Sequence, residues 1–229
     1  MSPRPYQLGK RQAAVDQTKS RIISAAYGLL TNPEGAPAFT MEAIAKAAGV
    51  ARMTVYYQFG SRRELLEDLF DYKAEKGGMG EMAKVFGPAE APACKPVLDA
   101  MENAPAQPRP RDALEMLGRF IRVLAGFYDS DRMVMRRLRG IAAIDSEFGA
   151  VMEERNNRRR FGLRMVLQRL TEQTDWKPRV PMDALEDILF TLTSFETFDQ
   201  LAVKDRDRET VCGLIEGLVR QTLGLTAAT

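Results

Sequence analysis

Apolar residues recur along this chain at three- and four-residue spacings and nowhere in sustained alternation. The first clear run is Ile22, Ile23, Ala26, Leu29 and Leu30, one face of a helix predicted over about 17–31 and ended by the segment NPEGAP. The same period predicts helices over about 112–128, 131–144, 147–173, 182–203 and 207–223. With no alternating run and no Asn-Gly or Asp-Gly hairpin turn, strands are not expected, and the fold class is all-α. Residues 87–110 hold six prolines, which prevents one long helix there and predicts a loop with room for a short helix at about 97–103.

The stretch FTMEAIAKAAGVARMTVYYQFGSRREL, residues 39–65, departs from this plan because its helices are short. Thr40 suits an N-cap, its hydroxyl accepting from an unpaired amide of a helix that starts at Met41 and buries Ile44, Ala45 and Ala48. Gly49 then supplies a positive-φ position that ends the helix in a tight turn. A second helix starting near Ala51 or Arg52 has Val50, Val55 and Phe59 for the core and leaves Arg52, Met53, Thr54, Tyr57 and Gln58 largely outward. Ser61 and Glu64 form a capping box that opens the next helix at Arg62. Any one of these features occurs in ordinary helical bundles; together, at these spacings, they spell a helix-turn-helix whose second helix enters the major groove.

Charge agrees with that reading. The net charge is only +2, but residues 1–63 carry nine Lys/Arg against three Asp/Glu. A phosphate backbone is attracted to that end. The absence of histidine removes the commonest general base and transition-metal ligand, and no carboxylate pair stands isolated in an apolar setting. No catalytic residue, metal or cofactor is therefore expected. No apolar run is long enough to cross a bilayer, the N-terminus lacks the apolar core of a secretion signal, and Cys94 and Cys212 lack paired spacing. A cytoplasmic protein without membrane partners is expected.

The segment TMEAIAKAAGVARMTVYYQFGSRREL, with IISAAYGLL before it, resembles the DNA-binding signature of TetR-type transcriptional regulators. Their usual pattern runs Thr, Ile-Ala, Ala-Gly-Val, Tyr, His-Phe and Ser-Lys-Glu-x-Leu. The resemblance covers residues 18–70 and implies that Thr40, Tyr56 and Arg62 touch phosphates while Arg52, Met53, Thr54, Tyr57 and Gln58 face bases of double-stranded DNA. Gln58 stands where histidine is frequent and Arg62 where lysine is usual; the latter keeps the cation and adds a bidentate fork.

The expected organisation is a basic, flexible arm over 1–17, a helix-turn-helix domain over 18–63, and a helical ligand-binding and dimerisation domain over 64–229. Arg4, Lys10 and Arg11 of the arm, with Lys19 just after it, could reach a minor groove or simply be solvated. Leu185, Leu189 and Leu192 on one C-terminal helix, and Leu214 and Leu218 on the next, form stripes that suit either a monomer core or the four-helix dimer interface the resemblance implies. Phe190, Phe198 and Leu201 give the first of these helices a second apolar face.

Methionines and aromatics between the two ends suit core filling or a ligand cavity. Phe127, Met165 and the polar Arg119, Arg122, Asn156, Thr193 and Glu196 are the candidates for holding a small-molecule effector. Gly77, Gly78 and Gly80 are the expected place for motion to be absorbed, and the runs RRLR at 136–139 and RRR at 158–160 read as solvated faces. The resulting expectation is a homodimeric repressor released from a palindromic operator by a ligand. The alternatives are control by a protein partner, activation instead of repression, or an all-helical enzyme.

Overall fold

The computed structural model describes residues 8–32, 39–82, 85, 112–203 and 206–225. Among them there is no strand, and the helices are α1 (Leu8–Thr31), α2 (Met41–Ala48), α3 (Arg52–Phe59), α4 (Arg62–Lys76), a 3-10 turn (Met79–Glu81), α5 (Ala113–Asp129), α6 (Arg132–Ile144), α7 (Ser146–Gln173), α8 (Met182–Leu192), α9 (Phe195–Leu201) and α10 (Arg208–Thr222). The fold is all-α. The proline-rich stretch 87–110, with Cys94 and the helix expected at 97–103, lies outside the described residues, as do Arg4 and most of NPEGAP.

Two boundaries differ from the periodic reading. Helix α1 begins at Leu8, well before Gln17, so Lys10 and Arg11 belong to a helix. Gln12 to Gln17 are all exposed, so over that stretch there is no buried face for periodicity to report. The single helix expected over 182–203 is two, because Ser194 interrupts it. The Ser194 hydroxyl accepts from the Thr197 amide at 3.1 Å, starting α9 afresh.

The chain forms two compact units, Met1–Tyr72 with Arg136–Val151, and Lys73–Met135 with Met152–Thr229. In the first, α1, α2 and α3 pack on one another around Ile22, Leu30, Ile44 and Val55, with Leu65, Leu66 and Phe148 also buried. Tyr27 meets Tyr72 edge to face, centroids 5.4 Å apart. Arg137 donates to the Leu30 carbonyl at 2.6 Å, satisfying a terminal acceptor of α1. The RRLR run is therefore not simply a solvated face.

In the second unit Asp112 caps α5, its carboxylate accepting from the Glu115 amide at 2.7 Å, and Met116, Phe120, Ile121 and Leu124 carry the buried face. Tyr128 sits among Phe127, Phe195 and Phe198 at centroid distances of 5.6, 5.6 and 5.9 Å. Its hydroxyl donates to the Thr193 carbonyl at 3.2 Å. The RRR run is not simply a solvated face either. The guanidiniums of Arg159 and Arg160 lie 3.7 and 3.9 Å from the Phe190 ring centre, and Arg160 pairs with Asp187 at 2.6 Å. Phe190 is thus covered by cations and Phe198 is core, so the second apolar face expected on this segment is absent.

Lys73, in the last turn of α4, and Gly77, just past its end, meet the end of α5. The fully buried Lys73 ammonium donates to the Phe127 carbonyl at 2.8 Å and the Ser130 hydroxyl at 3.1 Å, and lies 4.5 Å from the Phe127 ring centre. A Cβ on Gly77 would stand 2.9 Å from the Phe127 Cα. Gly77 is therefore a close-packing position, and its neighbour Gly78 ends the turn at φ 75°. Gly77→Ala should destabilise the fold by about 1–3 kcal/mol, read as a lowered denaturation midpoint, because backbone cannot yield as a flexible side chain would.

Candidate nucleic-acid interface

Helix α2 is fastened at both ends by local chemistry. The Thr40 hydroxyl accepts from the Ala43 amide at 3.1 Å. At the other end Gly49 adopts φ 64°, ψ 38°; its amide donates to Lys46 and that of Val50 to Ala45, the paired bonds of a Schellman turn. Helix α3 follows at once, held by Val55 and Phe59, its two buried residues. Gly60, at φ 71°, closes it, and the capping box is formed as expected: the Glu64 amide donates to Ser61 Oγ at 3.1 Å and the Ser61 amide to Glu64 Oε2 at 3.2 Å. A Cβ on Gly60 would collide with that carboxylate oxygen, so the box as it is formed here has a glycine beside it.

This scaffold presents an outward row on α3. Tyr57 is 85% and Met53 61% exposed, and Arg52 is exposed as well. Thr54 and Gln58 are half-buried, flanking the row. Arg52 donates to the Tyr56 hydroxyl at 3.4 Å with its guanidinium 5.7 Å from that ring's centre, and the hydrogen bond to Tyr56 raises the guanidinium pKa above its ordinary value. Thr40 opens α2, Tyr56 lies in α3 and Arg62 opens α4; none is buried, and all belong to the first unit. Hydroxyls and a guanidinium on fixed helix ends suit phosphate oxygens, while the α3 row suits base edges.

The basic charge of this end is partly answered by acids that come later in the chain. Lys19 pairs with Asp68 at 2.5 Å and lies 5.2 Å from the Phe59 ring centre, so it braces α1 against α3 and α4 and does not belong to an arm. Arg63 pairs with Glu67 at 2.9 Å, and Arg62 donates to Asp145, in the turn between α6 and α7. Sequence reasoning missed Asp145, since nothing local links positions so far apart.

Residues 22–69 match the family model described as bacterial regulatory proteins, tetR family. The chain belongs to the TetR family. It is a DNA-binding transcriptional regulator of that family. No curated protein matches the chain. Among solved structures, a protein described as a TetR-family transcriptional regulator from Rhodococcus sp. shares 13% identity at a TM-score of 0.62, over 90% of this chain and 99% of that one. One described as a transcriptional regulator from Pseudomonas aeruginosa shares 17% identity at a TM-score of 0.62, over 91% of each chain. Both likenesses establish the fold. No described helix is long and apolar enough to cross a membrane.

In this TetR-family chain the effector candidates do not converge. Arg119 and Arg122 line a cavity of about 450 Å³ in the second unit, together with Gly77, Glu81, Arg208 and Cys212 among others. Phe127, Asn156, Met165, Thr193 and Glu196 do not line it. Phe127 is buried against Lys73, Asn156 and Met165 are half-buried on α7, and Glu196 is exposed on α9. The Thr193 hydroxyl donates back to the Leu189 carbonyl at 2.8 Å and is engaged in its own helix. Arg119 pairs with Glu115 at 2.6 Å and Arg122 with Glu216 at 3.0 Å. Burial raises the Cys212 thiol to about 11, so it is a protonated wall of that cavity and no nucleophile.

The interface candidates divide as well. Leu185 and Leu189 are buried in the protomer's own core, which leaves them little surface to offer a second copy, and Leu192 is half-buried. Leu214 and Leu218 remain 41% and 42% exposed, and Ile188 on the neighbouring α8 is 39% exposed. The outward row of α8 thus runs through Ile188, one step off the stripe read from the sequence.

Proposed function

We propose that this TetR-family regulator is a homodimeric repressor that leaves a palindromic operator when a small molecule occupies its second unit. The observation that carries the DNA side is Tyr57. An aromatic ring left 85% exposed on a helix of eight residues, clamped from behind by Val55 and Phe59, suits a partner that supplies flat edges and phosphates. The exposed Ile188, Leu214 and Leu218 support pairing through α8 and α10, which pack on each other. Gly213 and Gly217 leave open space beside that row, allowing helices of two copies to approach closely. The cavity of about 450 Å³ supports a small effector. Release requires that the effector prefer one of two conformations, with a coupling of about 1–3 kcal/mol.

Selection of bound duplexes from a random DNA pool tests the reading. A palindrome with half-sites one helical turn apart is expected. A single unrepeated half-site, or no enrichment, would overturn it. On the selected site Tyr57→Ala should weaken binding by about 1–3 kcal/mol. Its thermal unfolding should stay at the wild-type midpoint, because so exposed a ring contributes little to the core.

A further inference from the structure

Asp145 uses its two carboxylate oxygens differently. Oδ1 accepts from the Phe148 amide at 3.0 Å and so caps the start of α7. Oδ2 accepts from Arg62 Nη1, at the start of α4. Both residues lie in the first unit, and both side chains are partly open to solvent. The cap needs one oxygen and no charge, since asparagine and serine cap helices as well as aspartate does. What the cap leaves over is an anionic oxygen placed on the guanidinium read as meeting phosphate.

We propose that Asp145 is a positioning residue that competes with the DNA backbone for Arg62 and thereby sets the protein's affinity for DNA. The proposal rests on the reading of Arg62 as a phosphate contact. With Asp145 in place, the pair presents no net charge to an approaching phosphate. Without the carboxylate, Arg62 presents a full positive charge and all its donors. The turn between α6 and α7 would thus act on the DNA-binding helices through one side chain: a shift that draws Asp145 away frees Arg62, and one that presses it home withholds it.

Titration of a labelled duplex of random sequence with the full chain, over a series of salt concentrations, tests the competition. Asp145→Asn and Asp145→Ser both keep a capping oxygen, so their unfolding midpoints should stay near that of the wild type. Each should bind about two- to fivefold tighter at low salt, the range expected for one partly exposed ion pair. The plot of log affinity against log salt should steepen by up to ~0.9, as for one more neutralised phosphate. A merely structural role for Asp145 would leave that slope unmoved. Arg62→Ala should bind more weakly, and adding Asp145→Asn to it should bring no gain.

If Arg62→Ala weakens binding while both Asp145 variants bind like the wild type or worse, the competition is wrong and the phosphate contact stands. If the gain survives in the Arg62→Ala background, Asp145 acts as a general charge and the competition is equally wrong. If Arg62→Ala binds like the wild type, the phosphate reading of Arg62 fails, and the proposal falls with it.

Discussion

Phe59→Ala should destabilise the protein by about 3–5 kcal/mol, the range for emptying a buried aromatic site, and abolish DNA binding in the same step. Helix α3 has eight residues, too few to hold a helix in water unaided. Its attachment rests on Val55 and Phe59. Phe59 also receives the Lys19 ammonium, which Asp68 holds in place, so truncation leaves a cavity and removes the ring face that this cation meets. The contrast with Tyr57, two residues earlier on the same helix, makes the experiment decisive. Removing Tyr57 should cost affinity and no stability; removing Phe59 should cost both. Denaturation and DNA titration of the two variants side by side check this, and a Phe59→Ala protein with wild-type stability would refute the packing account of α3.

The parts of this fold that sequence made legible are those whose partners lie within four residues. The Thr40 cap, the left-handed Gly49 and the Ser61–Glu64 box each satisfy a helix end with a neighbour along the chain, so residue type and spacing suffice to read them. The helix break at Ser194 belongs to the same class. It was hidden because apolar residues continue on both sides, although Ser194 with Glu196 in the following turn is itself a start signal. Residues 12–17 of α1 were hidden for the opposite reason: all are exposed, and periodicity reports only on faces that meet a core.

The fates of the cations were not legible, because each depends on a partner brought near by the fold. Arg137 reads as one of a basic run and caps α1; Arg159 and Arg160 read the same way and flank Phe190. The charge asymmetry of the N-terminal end holds as a sum, yet Lys19, Arg62 and Arg63 each pair with an acid beyond residue 63. A count along the chain therefore overstates the field that DNA meets. Arg21, Lys46 and Arg52 stay exposed, and Arg52 is the one that stands on α3, the helix proposed to meet base edges.

Lys73 carries this logic furthest, and it predicts a pH dependence. Within DYKAEK it reads as a solvated lysine, yet it is fully buried. Burial lowers its pKa from 10.5 to about 8, with Asp131 opposing the shift. Between about pH 8 and 10.5 the unfolded chain holds a proton on Lys73 that the folded chain has released, so stability rises with pH across that window. The shift corresponds to about 3 kcal/mol, fully gained only above the unfolded value. Lys73→Met keeps a stem of similar shape and removes the titration, and the Phe127 carbonyl still accepts from the Ser130 hydroxyl at 2.9 Å. Near neutral pH the variant should match or exceed the wild type, since the relief of a buried cation offsets hydrogen bonds worth about 1.5–3 kcal/mol. As pH rises from 8 towards 10.5, the wild type should gain on it by up to about 3 kcal/mol. Urea denaturation of both proteins along that range cancels the tyrosines they share, and stability curves that run parallel would show that Lys73 titrates as an ordinary surface lysine.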